Sequence, residues 1–242
     1  MFWKKTWEPE AVLALIGAIA AAFFFGNVAA GLLRQAGVGG FQGDDSLGTV
    51  LVGTLSFQGA AVVLGTVFLK FHDASWRELF GSTNWKRCLG LALAVLAGVG
   101  PAMFGLKFLS EIVLRQLHFA VADQRAVELL LTAKTPWLSA YLVFFAVVLA
   151  PLGEEFFFRG LLFSTAKRYG WPKLGWLGVS FLFALIHLNA PTFLPLFALA
   201  LALTWLFEKT GGLLAPVLAH SLFNAANLLL LAVAEKYGPA RP

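Results

Sequence analysis

The sequence predicts an all-α fold, a polytopic bundle of about seven transmembrane helices, or eight if a stretch near 115–133 also crosses. Three observations lead there. Hydrophobic residues make up 59% of the 242 and charged residues only 13%, and the mean hydropathy of +0.79 leaves too few polar side chains to cover a water-soluble globule. Runs of roughly 20 apolar residues, the length needed to cross the hydrocarbon core, recur along the chain. No internal repeat, low-complexity tail or linker sets a soluble domain apart, so residues 1–242 read as one integral membrane domain.

The apolar runs fall at about 11–33, 47–69, 88–112, 137–164, 174–190, 192–207 and 213–234. The first follows Lys4 and Lys5 as a signal peptide would, yet it is longer than a typical signal core and more spans follow, so it reads as a retained helix. The fifth and sixth are short and parted only by Asn189-Ala190-Pro191, which predicts a tight helical hairpin. Between the runs, His72 to Trp85 and Asp123 to Leu131 read as interfacial segments, with Trp76 and Trp85 suited to the headgroup zone.

The net charge of +5 sets orientation here, because no basic, aromatic-interleaved patch of the nucleic-acid kind is present. With the N-terminus in the cytoplasm, Lys4, Lys5, Lys70, Arg77, Lys86, Arg87, Lys167, Arg168, Lys173 and Lys209 fall inside. Arg34, Arg115, Arg125, Lys134, Lys236 and Arg241 fall outside, and seven crossings put the C-terminus there too. The lone Cys88 excludes an internal disulfide framework and a thiolate metal cage, and reads as an inert core thiol.

Charged side chains within a span are costly, by about 2.5–3.5 kcal/mol for Arg, Lys or Asp on insertion scales, so each is a functional candidate. They gather toward the C-terminal end. The fourth run carries Glu154, Glu155 and Arg159, the fifth His187, and the seventh His220 and Asn224, whereas the first two hold only Asn27 and Gln58. Glu155 and Arg159 are four residues apart, which predicts an ion pair along one helix face, while Glu154 sits about 100° round and has no local partner. Pro151, three residues before Glu154, should kink the helix and free a backbone carbonyl. His220 and Asn224 share one face by the same four-residue spacing.

A depth count at about 1.5 Å per residue places Glu154 roughly 20 Å from Lys167, His187 roughly 21 Å from Lys173 and Asn224 roughly 22 Å from Lys209. Three helices thus offer polar groups at one depth, with His220 one turn nearer the cytoplasm. Lys107 and Glu111, four apart, read as a separate structural pair, and His72 and His118 lie in connecting segments with no catalytic role.

The Glu-Glu-x-x-x-Arg string at 154–159, Phe183-x-x-x-His187 and His220-x-x-x-Asn224, in this order on successive hydrophobic segments, resemble the three motifs of the CAAX-protease and bacteriocin-processing family of intramembrane glutamic endopeptidases. The resemblance covers about residues 137–234, the motif-bearing core. It implies that Glu154 and His187 hold and activate a water while His220 and Asn224 donate hydrogen bonds to the oxyanion of the tetrahedral intermediate. Oxyanion donors of this type typically contribute about 2.7–4 kcal/mol each, and a desolvated carboxylate is a better proton acceptor than one in water. Glu155 and Arg159 then hold the helix, and Phe183 packs against the imidazole of His187.

Two other readings fit parts of this residue set. Glu154, His187 and His220 are also the donor types of a two-histidine, one-carboxylate zinc site, although the His-Glu-x-x-His helix of many metalloproteases is missing. A non-enzymatic immunity factor, scaffold or transporter is the third reading, disfavoured because transporters tend to carry paired broken helices in corresponding halves. The glutamic reading calls for no cofactor, a membrane-associated peptide or protein substrate, and no nucleic acid. A prokaryotic cytoplasmic membrane suits it, with peptide maturation or removal of a C-terminal anchor preferred to prenyl-tail processing.

Overall fold

The computed structural model describes residues 7–43, 46–81, 84–119, 121, 124–133 and 135–237. Lys4, Lys5, Asp123, Lys134 and Arg241 lie outside the described residues. Among the described residues there are nine helices and no strand: α1 (Pro9–Gln35), α2 (Leu47–Phe71), α3 (Trp76–Phe80), α4 (Trp85–Gln116), α5 (Arg125–Leu131), α6 (Pro136–Arg168), α7 (Pro172–Leu185), α8 (Ala190–Thr210) and α9 (Leu214–Tyr237).

Six of these, α1, α2, α4, α6, α8 and α9, are long and apolar enough to cross a membrane. All seven apolar runs form helices, but the fifth is shorter than a full span. Its helix, α7, has 14 residues, about 21 Å at helical rise, and stops at Leu185 instead of continuing to 190. The cause lies in the next four residues. Leu188 adopts a left-handed φ of 47°, and Asn189 Oδ1 accepts from the Thr192 backbone N–H at 3.2 Å, starting α8 at once. The stretch near 115–133 does not form an eighth crossing. After α4 ends, His118 turns the chain with a φ of 60°, and α5 is only seven residues long.

Three contacts fix which helix ends lie together. The Lys167 ammonium is 2.7 Å from both carboxylate oxygens of Glu208, so α6 and α8 end on one side and α7 runs back between them. On that side the Leu213 N–H donates to the Leu79 carbonyl at 2.8 Å, tying α3 to the α8–α9 turn. The backbones approach so closely there that a Cβ on Gly212 would come within 2.7 Å of Gly81 Cα. At the opposite side Gln124 donates to Thr192 Oγ1 at 2.9 Å, bringing the start of α5 onto the α7–α8 tip.

The main core gathers Ala61 of α2, Phe156 and Phe158 of α6, Phe183 of α7, Leu203 and Phe207 of α8 and Ala219 of α9. Around it, Phe24 and Phe25 of α1, Val63 of α2 and Phe108 of α4 are each more than 60% exposed. Apolar surface on that scale is unfavourable in water but is the natural outer face of a bundle in hydrocarbon. The chain is an integral, multi-pass membrane protein.

Three π-helical segments interrupt these helices, Leu55–Gly59 in α2 and Phe145–Leu149 and Phe156–Phe163 in α6. Such segments often occur at functional sites, because the extra residue per turn redirects side chains and leaves a carbonyl without its usual partner. All three lie along the line where α2 packs against α6 or α6 against α9.

Candidate active site

Helix α6 supplies the centre of the site. Thr135 caps its start, accepting from the Leu138 N–H at 3.3 Å, and the helix then carries Glu154, Glu155 and Arg159 into the interior. Glu155 and Arg159 have no exposed surface and Glu154 is 7% exposed. A buried guanidinium is tolerable only if its donors are taken up, and here three faces are used. Arg159 Nη1 donates to Glu155 Oε1 at 2.8 Å, Nη2 to the Ala200 carbonyl at 2.9 Å, and Nε to Thr204 Oγ1 at 3.3 Å. The Phe183 ring lies against the guanidinium, 4.9 Å from centroid to Cζ.

The Glu155–Arg159 pair expected from the four-residue spacing is thus present, and Glu155 does more than pair. Its Oε1 also accepts from His220 Nδ1 at 2.9 Å. A carboxylate can only accept, so Nδ1 of His220 carries the proton and Nε2 faces away from Glu155. That Nε2 is apposed to Glu154 Oε2 at 3.9 Å. Among the described residues, Glu154 Oε2 and Glu155 Oε2 are buried with no hydrogen-bond partner, so the site holds polar capacity that its own side chains do not use.

His187 sits two residues past the end of α7. Its Nδ1 lies 2.7 Å from the Phe183 carbonyl, which again leaves Nε2 as the free nitrogen. Phe183 is the shared wall. Its ring is 5.1 Å from the His187 imidazole and 5.6 Å from that of His220, and Phe158 buttresses it at 5.2 Å. The sequence assigned Phe183 to His187 alone; it also packs His220 and Arg159.

Asn224 stands apart from the carboxylates. Its Nδ2 donates to the Ala146 carbonyl of α6 at 2.7 Å. The π turn explains why that carbonyl is free. The Ala150 N–H reaches back five residues to Phe145, and Pro151 has no N–H to offer, so Ala146 is skipped. The freed carbonyl expected before Glu154 exists, and Asn224 fills it. His220 thus bonds to a carboxylate and Asn224 to a backbone carbonyl, and it is His220 that lies level with Glu154. Counting from flanking lysines misplaced them because α9 begins immediately after the Gly211–Gly212 turn and π segments alter the advance of α6.

The structure brings Glu154, Glu155, Arg159, Phe183 and His220 into contact, joins His187 to them through Phe183, and bonds Asn224 one turn along α9 to a backbone carbonyl. Thr204 and the Ala200 carbonyl were missed by the sequence reading. Thr204 was the recoverable one, as a hydroxyl in an otherwise apolar span. Among the described residues, no group of three His, Cys, Asp or Glu side chains is placed to hold a metal ion.

Comparison with known proteins bears on the same segment. Residues 136–226 match the family model described as type II CAAX prenyl endopeptidase Rce1-like. An "Uncharacterized 24.3 kDa protein" of Escherichia coli is 39% identical over 87 residues, 34% of this chain and 40% of the relative. The "UPF0177 protein YxdF" of Lactococcus lactis is 31% identical over 88 residues, 35% of this chain and 48% of the relative. The match to these curated relatives thus spans less than half of their length. No solved structure matches. The matched segment runs from the start of α6 into α9 and contains Glu154, Glu155, Arg159, Phe183, His187, His220 and Asn224, so it is this site-bearing part of the membrane protein, residues 136–226, that is similar to the Rce1-like type II CAAX prenyl endopeptidases.

Proposed function

We propose that the chain is an intramembrane endopeptidase that hydrolyses a peptide bond in a membrane-associated peptide or protein. One observation carries the reading: the partnerless Glu154 oxygen faces the free Nε2 of His220 across 3.9 Å inside an apolar bundle. Two acceptors at that separation can both receive a hydrogen from one water.

In this mechanism Glu154, assisted by His187 Nε2, takes a proton from the attacking water. As the carbonyl becomes tetrahedral, its oxyanion is met by Nε2–H of the doubly protonated His220 ring, and on collapse the C–N bond breaks as the proton held by Glu154 passes to the leaving amine. The Glu155 carboxylate at Nδ1 offsets that charge and holds the ring in place. Asn224 has a second amide hydrogen beyond the one given to Ala146, and that hydrogen is its contribution to the oxyanion. Arg159 fixes Glu155 and so acts at one remove. The chemistry needs no metal: acid–base transfer and hydrogen bonding from these residues suffice.

The helix ends joined by Lys167–Glu208 and Leu213–Leu79 carry Lys70, Arg77, Lys86, Arg87, Lys167, Arg168, Lys173 and Lys209, against Arg34, Arg115, Arg125 and Lys236 at the other ends. That imbalance supports a cytoplasmic location for the first side. The bacterial relatives favour a prokaryotic cytoplasmic membrane, and with it peptide maturation or removal of a C-terminal anchor. The test is a comparison of membrane proteomes from cells with the wild-type chain and with Glu154→Gln. New C-termini that depend on Glu154 support the reading; identical termini in the two strains refute it.

A further inference from the structure

We propose that Gln58 of α2, outside the family-matched segment, binds the main chain of the substrate beside the scissile bond; this rests on the protease reading above. Gln58 is the twelfth residue of the 25 in α2 and so lies near mid-span. Asparagines within the spans, away from the exposed helix ends where Gln35 and Gln116 lie, satisfy themselves. Asn27 donates to the Phe23 carbonyl at 2.8 Å, Asn227 to that of Phe223 at 3.0 Å, and Asn224 to Ala146. The Gln58 carboxamide has no hydrogen-bond partner among the described residues. A polar side chain held at that depth without a partner is unfavourable, and is a functional candidate for that reason.

Its position ties it to the site. A Cβ built on Gly153 would lie 3.4 Å from Cα, Cβ and O of Gln58, so the side chain of Gln58 starts over the residue preceding Glu154. The π segment Leu55–Gly59 includes Gln58, and the ring of Phe57, packed on Phe157 at 6.1 Å, fixes the rotation of α2 at this level. The chemistry fits one kind of ligand. A carboxamide offers a donor and an acceptor together, which complements the C=O and N–H of a peptide group. A substrate segment opened for cleavage within the bilayer exposes such groups where water cannot pair them.

The full chain is reconstituted in phosphatidylethanolamine–phosphatidylglycerol vesicles with a mixed library of internally quenched, lipid-anchored decapeptides. Cleavage that Glu154→Gln abolishes selects a working peptide. On it, Gln58→Leu is expected to raise KM about tenfold with kcat within about twofold, the signature of a lost binding contact. Photoactivated Gln58→p-benzoylphenylalanine is expected to cross-link the peptide, and the same residue at lipid-facing Val63 is not. A KM within twofold of wild type overturns the proposal and leaves the protease reading standing; no Glu154-dependent cleavage overturns both. If the leucine variant fails to unfold cooperatively, the cross-link decides, and equal labelling from positions 58 and 63 overturns the proposal.

Discussion

Glu155 and His220 are bonded at 2.9 Å through the same carboxylate oxygen that receives Arg159 at 2.8 Å, so one atom couples the ion pair of α6 to the imidazole of α9. The consequence is a division of labour between adjacent glutamates. Glu155 sets the orientation and protonation pattern of His220, and Glu154 is left to face the reacting groups.

Glu155→Gln tests that coupling. The amide keeps the shape but loses the charge that balances Arg159 and a protonated His220. On the protease reading kcat falls by about 10²–10⁴-fold with KM little changed, the scale on which removing the orienting partner of a working histidine acts. Steady-state kinetics on any Glu154-dependent peptide decides it. A kcat within threefold of wild type would mean that the hydrogen bond to His220 is only packing.

Arg159 is a structural demand of the bundle. Arg159→Met leaves the buried Glu155 without its cationic partner, held only by His220, and removes the bonds to Ala200 and Thr204, an expected loss of about 3–5 kcal/mol. Arg159→Lys restores the charge but not the three-way fork, so it recovers only part of that loss. Thermal unfolding in detergent should rank the proteins wild type, Arg159→Lys, Arg159→Met. Full recovery by lysine would show that charge, and not geometry, is what the site requires.

The contrast between Arg159 and its surroundings shows what the sequence made legible. Glu155–Arg159 is local and follows from helix periodicity, so four-residue spacing was enough to find it. The Arg159 bonds to Ala200 and Thr204, and the Glu155 bond to His220, cross 41, 45 and 65 positions of sequence, and no periodicity encodes them. The same limit applies to α7. Composition stays apolar through Ile186 and Leu188, yet the helix stops because a left-handed residue and an Asn cap reverse the chain there. The π segments are the other hidden element, since a helical wheel at 3.6 residues per turn mispositions everything beyond them.

Asn224 has two separable roles, and one variant can weigh them. As an anchor to the Ala146 carbonyl it contributes what interhelical hydrogen bonds in membranes typically do, about 0.6–1.7 kcal/mol. As an oxyanion donor it contributes to kcat by about 10²–10³-fold. Asn224→Ala, assayed well below its melting temperature, should therefore lose far more rate than its modest destabilisation explains. Loss of rate only in parallel with loss of fold would leave the anchor as its whole function.

Glu154 offers the sharpest opposition between stability and activity. Its Oε2 is buried with no hydrogen-bond partner, so the folded state carries a desolvated carboxylate oxygen whose burial no hydrogen bond offsets. Glu154→Gln replaces it with a neutral group of the same size that can donate to His220 or to a carbonyl. Cleavage should be abolished while the melting temperature holds or rises, by an amount equivalent to at most about 1 kcal/mol. Residues kept for chemistry behave this way; residues kept for folding do not. A melting temperature that fell as far as that of Arg159→Met would place Glu154 among the structural residues and remove the central group of the proposed mechanism.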